Sequence, residues 1–237
     1  MKRVLGVAVF ALILGACGGG EQVDAAKVLR DGAVAMSKLQ TVSATLKLTK
    51  GTVSLQGFTL VSARTAVRLP ADSDTIYTVK QQGVTIGLQV VIAGGHVYLH
   101  VPFSNLQEVT GPEAAAFPDM AKLFDSTTGL PAVVPAGLNP KYVSTDQVGG
   151  ANAYQVSTSY TPEQIRGLLA QLNSTGPVAA RVWVDTSNHL IRKAVLTGAF
   201  GDGGLDATVQ VDITGFDAPV SITSPIASSS RTTSPNP

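Results

Sequence analysis

Gly83 to Val101, GVTIGLQVVIAGGHVYLHV, is the stretch whose reading decides the fold class. Apolar residues alternate with polar or small ones on both sides of Gly94-Gly95, the pattern of a β-hairpin closed by a glycine turn. Val84, Ile86, Leu88, Val90 and Ile92 share one parity before the turn, and Val97, Leu99 and Val101 share one after it. Each strand therefore carries a continuous apolar face. That face must be covered by something.

The flanking sequence offers more strands of the same kind. Upstream, Thr41 to Lys50 alternates Val42, Ala44, Leu46 and Leu48. Residues 52–69 continue with Val53, Leu55, Phe58 and Leu60 around Gly57, and 75–80 lead into the hairpin after a turn at Asp72-Ser73-Asp74. Downstream, 141–147 and 153–160 are predicted to pair across Gly149-Gly150, and three more strands are predicted near 178–185, 190–199 and 205–214. Helices are few. Asp24 can cap one that reaches Leu39 with the stripe Ala25, Val28, Leu29, Gly32, Met36 and Leu39. Thr161 and Gln164 form a capping box around Pro162, ahead of Ile165, Leu168, Leu169 and Leu172.

Between Pro102 and Pro140 the alternation disappears. A short helix is predicted from Pro118 to Phe124. Pro131, Pro135 and Pro140 leave 129–138 as a loop or a broken helix. A long apolar connection of this kind, roughly 114–138, is either a lid or wall of a binding site or a loop packed on the core. The sum is an α+β chain with one large antiparallel sheet. Three helices cannot cover every inward strand position, and small residues such as Gly57, Gly87 and Ala93 would leave room there. A core simply filled by its own side chains is the alternative.

The chain has 237 residues, enough for one domain with a real core. Its N-terminus reads as a signal peptide over 1–16: Lys2 and Arg3 precede an apolar run from Val4 to Leu14, too short for the ~20 residues that span a bilayer. Leu14-Gly15-Ala16-Cys17 resembles the bacterial lipobox, whose cysteine is acylated and begins the mature chain. Cys17 is the one cysteine present, so it has no internal disulfide partner. Residues 17–24 then form a lipidated tether, with Gly18-Gly19-Gly20 supplying flexibility. Buried acyl chains, at about 0.8 kcal/mol per CH₂, would hold the protein on the extracytoplasmic face of the cell membrane. Without Lys2 and Arg3 the chain carries 15 basic and 16 acidic residues, so nothing advertises nucleic acid. Residues 224–237 read as a disordered tail after a single domain over 25–223.

No cofactor, metal or catalytic set emerges. His96 and His100 lie about 13 Å apart on one strand, too far for one ion, and His189 falls in a turn. Gly201-Asp202-Gly203-Gly204 lies between two strands, whereas a dinucleotide fingerprint opens a helix, so it reads as a hairpin turn. Asp72 with Asp74, and Asp202 with Asp206, read as solvated turn carboxylates. Neither G-x-S-x-G nor H-E-x-x-H occurs. The chain does not read as an enzyme.

Several short motifs occur in a set order: Leu123-Phe124-Asp125 with Gly129-Leu130, and Val148-Gly149-Gly150-Ala151 with Tyr154-Gln155-Val156. Later come Val182-Trp183-Val184-Asp185, His189-Leu190-Ile191-Arg192 and Gly215-Phe216-Asp217-Ala218-Pro219-Val220. Together they resemble the mycobacterial LppX, LprG, LprA and LprF lipoproteins over residues 26–224. Phe216 replaces the usual tryptophan, and Pro118-Asp119 reverses the family's order. The resemblance implies a curved antiparallel half-barrel, similar to LolA and LolB, with helices over its concave side and an apolar cavity between. It also implies an acylated lipid or glycolipid as ligand, moved through the envelope, with an envelope transporter as a further partner. The cavity residues expected from strand parity are Leu46, Leu48, Leu55, Leu60, Val79, Ile86, Leu88, Val90, Val97 and Leu99, joined from the helices by Met36, Leu168 and Leu172. A register error would exchange whole faces. A protein-binding sensor, chaperone or scaffold on the same sheet is the competing reading.

Overall fold

The computed structural model describes residues 23–168 and 172–224. The expected signal peptide, Cys17 with most of its tether, and the tail from 225 onward lie outside the described residues.

Strands β1 (Thr41–Lys50), β2 (Ser54–Leu55), β3 (Phe58–Arg68), β4 (Asp72–Gln81), β5 (Val84–Ala93), β6 (His96–His100) and β7 (Gln107–Val109) form the first half of the sheet. Strands β8 (Leu138–Val148), β9 (Ala151–Tyr160), β10 (Val178–Asp185), β11 (Ile191–Gly198) and β12 (Ala207–Thr214) form the second. All pair antiparallel in the order β7-β6-β5-β4-β3-β1-β12-β11-β10-β9-β8, with β2 folded onto β3. Each half is a run of hairpins. The two halves join where β1 pairs with β12, Leu46 opposite Val211. The sheet is curved and unclosed, so β7 and β8 are its two edges. The hairpin expected across Gly94-Gly95 is present, with Val90 opposite Leu99 and Ala93 opposite His96.

Helix α1 (Ala25–Met36) begins as its sequence predicts: the Asp24 carboxylate accepts from the Lys27 amide. It ends at Met36, short of Leu39, and buries Val28, Leu29, Ala33 and Met36 against β8 to β11. Such side chains contribute roughly 1.5–3 kcal/mol each when fully buried. Gly32 allows the close approach, since a Cβ there would stand 3.3 Å from Ile191 and 3.4 Å from Val184. The capping box at α4 (Pro162–Leu168) is present, with the Gln164 side chain accepting from the Thr161 amide at 2.7 Å.

Three local expectations change, and one open alternative is resolved. Asp72-Ser73-Asp74 opens β4 instead of forming a turn, because Asp72 pairs with Arg68 and Ser73 with Val67; the chain reverses one step earlier, at Pro70-Ala71. No helix starts at Pro118. The chain instead forms α2 (Gly111–Ala115) and a single 3-10 turn at Lys122–Phe124. Residues 129–138 are the broken helix of the two options: α3 (Leu130–Val133), a 3-10 turn at Val134–Ala136, then β8, which takes in Pro140 at the sheet edge where its missing N–H costs nothing. Gly87 and Ala93 lie on the outer face with Ile76 and Tyr98, while Gly57 is a turn residue at φ +78°, so none of the three leaves room inside.

The motifs that set the resemblance are structural joints. Val182 and Val184 point into the core, while Trp183 lies on the other face, its Nε1–H donating to Asp146 at 2.8 Å. Asp185, 1% exposed, accepts from the Ser187 amide and hydroxyl and from Arg192 Nε at 2.6 Å, closing the β10–β11 turn. Asp217 accepts from the Gln40 amide at 2.7 Å. From there the C-terminal segment runs over the outer face, where Val220 and Ile222 cover Val91, Ala93 and Tyr98, and Arg68 holds the Ile222 carbonyl.

Candidate apolar cavity

The middle of the concave face is roofed by residues 117–137, which contribute no strand to the sheet. Asp125 organises this cover. Its carboxylate accepts from the hydroxyls and backbone amides of Thr127 and Thr128, and these bonds hold its pKa at about 2. Gly129 then packs its α-carbon against the carbonyls of Lys122, Leu123 and Asp125, at a distance no side chain permits. Two phenols link the sheet to the cover: Tyr160 donates to the Val134 carbonyl at 3.1 Å and Tyr77 to that of Pro118 at 3.4 Å. Burial pushes both hydroxyls far above the ordinary phenol range, with the Asp119 carboxylate adding to the effect at Tyr77.

Between cover and sheet lies a cavity of about 70 Å³. Its floor is Ala44 and Leu46 of β1, Ala63 and Thr65 of β3, Val182, Ile191, Ala194 and Leu196 of β10 and β11, and Val211 and Ile213 of β12. Its roof is Met120, Leu123, Phe124, Leu130, Val133 and Val134, and Tyr160, Ile165, Leu168 and Leu172 close its side. Among the described residues, Thr65 and Tyr160 are the only hydroxyl-bearing members of the lining, and each is already hydrogen-bonded, Thr65 to Thr75 at 2.8 Å. The described part of the wall makes no polar demand on an occupant. A smaller cavity of about 40 Å³ shares Leu46, Ala63, Met120 and Leu172 with it. A wider open groove of about 660 Å³ meets it at Leu168 and carries Asp119, Lys122 and Arg166.

Leu46, Leu168 and Leu172, expected from the sequence, line the main cavity, and Leu55 and Leu60 line the smaller one. Val97 borders the groove. Val79, Leu88 and Val90 are buried in the same packed cluster, with Leu48, Ile86 and Leu99 at its margin, but they reach neither cavity; Met36 is packed within the α1 cluster. Parity gives the inward face but not which part of it is left empty. The room arises where three alanines, Ala44, Ala63 and Ala194, face the cover. The β10–β12 wall was visible as alternation (Val182 and Val184; Ala194 and Leu196; Val209, Val211 and Ile213), but its place beside β1 depends on a pairing about 165 residues apart in the chain.

Among the described residues no group of three or more His, Cys, Asp or Glu could hold a metal ion. His96 instead meets Glu108 across β6 and β7 at 2.7 Å. No helix among the described residues is long and apolar enough to cross a membrane.

An open, curved antiparallel sheet with an apolar interior under a non-sheet cover defines the half-barrel class. Within it, the chain belongs to the LppX_LprAFG lipoprotein family, whose model matches residues 24–222. It is 26% identical over 144 residues to the lipoarabinomannan carrier protein LprG of Mycobacterium tuberculosis and of Mycobacterium bovis, covering 60% of this chain and 58% of that protein. The chain thus aligns with little more than half the length of these relatives. The fold is similar to LprF from Mycobacterium bovis, with a TM-score of 0.68 at 18% identity over 87% of this chain and 99% of that one. It is also similar to LppX of Mycobacterium tuberculosis, with a TM-score of 0.61 at 15% identity over 84% and 97%.

Proposed function

We propose that this chain is an envelope lipoprotein, acylated at Cys17 and held at the extracytoplasmic face of the cell membrane. Its unit at 25–223 takes the acyl chains of a lipid or glycolipid between sheet and cover and carries them through the envelope. The observation that carries this reading is the cavity lining, in which, among the described residues, both hydroxyl groups are already hydrogen-bonded and the other side chains are apolar. The name of LprG as a carrier points the same way.

At about 70 Å³ the space is less than half the ~150 Å³ void that accepts benzene. An acyl chain therefore enters by displacing the cover, and the cover is suited to yield because it is tied to the sheet through side chains and not by strand pairing. Once Met120 and Leu172 part, the two cavities become one space. The groove bearing Lys122 and Arg166 then receives the polar headgroup. An envelope transporter that loads or unloads the cargo is the expected protein partner.

The small volume also favours a second reading, a protein-binding lipoprotein with a filled interior. Mass spectrometry of solvent extracts from natively purified protein separates the two. A co-purifying acylated lipid, or uptake of an added glycolipid, is expected; its absence from both, with a protein partner recovered by crosslinking, would establish the second.

A further inference from the structure

The two ends of the sheet differ. The pairing registers bring Lys50, Thr208, Thr197, Ala179, Ser159 and Leu138 into one row, with Val84 at the corresponding end of β5. At this end three turns each lift a large apolar side chain into water. Val84 is 62% exposed and Leu205 68%, and Phe103 is fully exposed on the β6–β7 loop at φ +67°, a conformation aromatic residues rarely adopt. Leu138, 47% exposed, opens β8 in the same row. The opposite rim consists of Pro70-Ala71, Gly94-Gly95, Gly149-Gly150 and residues 186–189, where no large hydrophobic side chain is exposed among the described residues.

The described chain begins on the apolar side. Val23, Asp24 and Ala25 lie against Pro140, Lys141 and Tyr142, just inside Leu138, and α1 then leads away toward Thr41 at the polar rim. Cys17 precedes Val23 by six residues, a reach of about 20 Å at full extension.

We propose that the rim carrying Val84, Phe103, Leu138 and Leu205 is a membrane-docking edge whose occupant is the interfacial zone of a phospholipid bilayer. This rests on the reading of Cys17 as the anchor. A tether this short, leaving beside Leu138, holds that rim against the membrane, and separated apolar tips on polar turns suit shallow insertion among headgroups. The polar rim then faces away from the bilayer.

The test couples the mature chain, residues 17–237, through Cys17, its one cysteine, to a maleimide phospholipid in phosphatidylcholine vesicles, so the geometry is probed whether or not the cell acylates that residue. Phe103→Trp, Leu205→Trp and Val34→Trp are compared, Val34 being 55% exposed on the half of α1 nearer the polar rim. Chain-brominated lipid is expected to quench the first two by about twofold or more over the Trp183 background while sparing the third. Equal quenching at all three sites, or none at 103 and 205, would overturn the proposal. Flotation of the natively expressed protein with membranes, lost in Cys17→Ser, separately tests the anchor itself.

Discussion

Tyr160 and Val134 are joined by a 3.1 Å hydrogen bond from a buried sheet phenol to a cover carbonyl, at the wall of the apolar cavity. One hydroxyl thus fixes how closely the cover lies on β9. Tyr160→Phe removes it without changing the ring, and the expected cost is about 1 kcal/mol. Hydrogen exchange should quicken in 130–137 and hardly change in β9 or β10. Uniform acceleration across the sheet would show that the bond supports the fold and not the cover.

Gly129 should tolerate no side chain. A Cβ there would stand 2.6 Å from the Lys122 and Leu123 carbonyl oxygens and 2.7 Å from that of Asp125, and backbone cannot retreat cheaply. Gly129→Ala is expected to lose about 2 kcal/mol in urea denaturation, a strain cost of overpacking. An unchanged midpoint would contradict this.

Filling the cavity should raise stability while reducing capacity. Ala44 is 6% and Ala63 3% exposed, both facing the empty space from adjacent strands. Ala44→Val and Ala63→Val are each expected to add up to ~1 kcal/mol by filling the void. The amount of lipid retained on purification, or of a fluorescent fatty acid taken up, should fall several-fold. Unaltered uptake in both would place the cargo elsewhere.

Asp185 predicts an acid transition. Burial would raise its pKa, but the Ser187 hydroxyl and amide and the Arg192 guanidinium outweigh that and hold it at about 2, against 3.8 for the free side chain. A carboxyl depressed in the folded state stabilises the fold above its unfolded pKa and loses that contribution as pH falls from about 4 to 2. The contribution is of the order of 2 kcal/mol. Asp185→Asn should therefore lower the melting temperature at pH 6 and lessen its dependence on pH between 4 and 2. A parallel pH profile in the variant would assign the acid transition to other carboxylates.

Hairpins were the most legible part of the sequence, because alternation, a Gly-Gly pair and renewed alternation specify two strands and their register locally. The α4 capping box was equally local. What alternation could not convey was the β1–β12 pairing, since nothing near Leu46 indicates that Val211 lies opposite it. The Asp72 turn was misplaced because Asp and Ser favour turns on their own, whereas here Arg68 and the Gly94 amide engage Asp72 as a strand residue. The cavity was half legible for a related reason. Leu46, Leu168 and Leu172 could be placed on inward faces, but Met120 and Val134 belong to a segment without periodicity, and only its folding over the alanines sets the void.

A closed barrel has its radius fixed by strand number and shear. This sheet stops at β7 and β8 with neither edge paired to the other, so no ring of hydrogen bonds sets its girth. Small changes in twist shared over the eleven strands of this path would alter its circumference without breaking any ladder between the edges. On the carrier reading proposed above, capacity would then be an elastic property of the sheet, and one set of lining side chains would serve cargoes of different width.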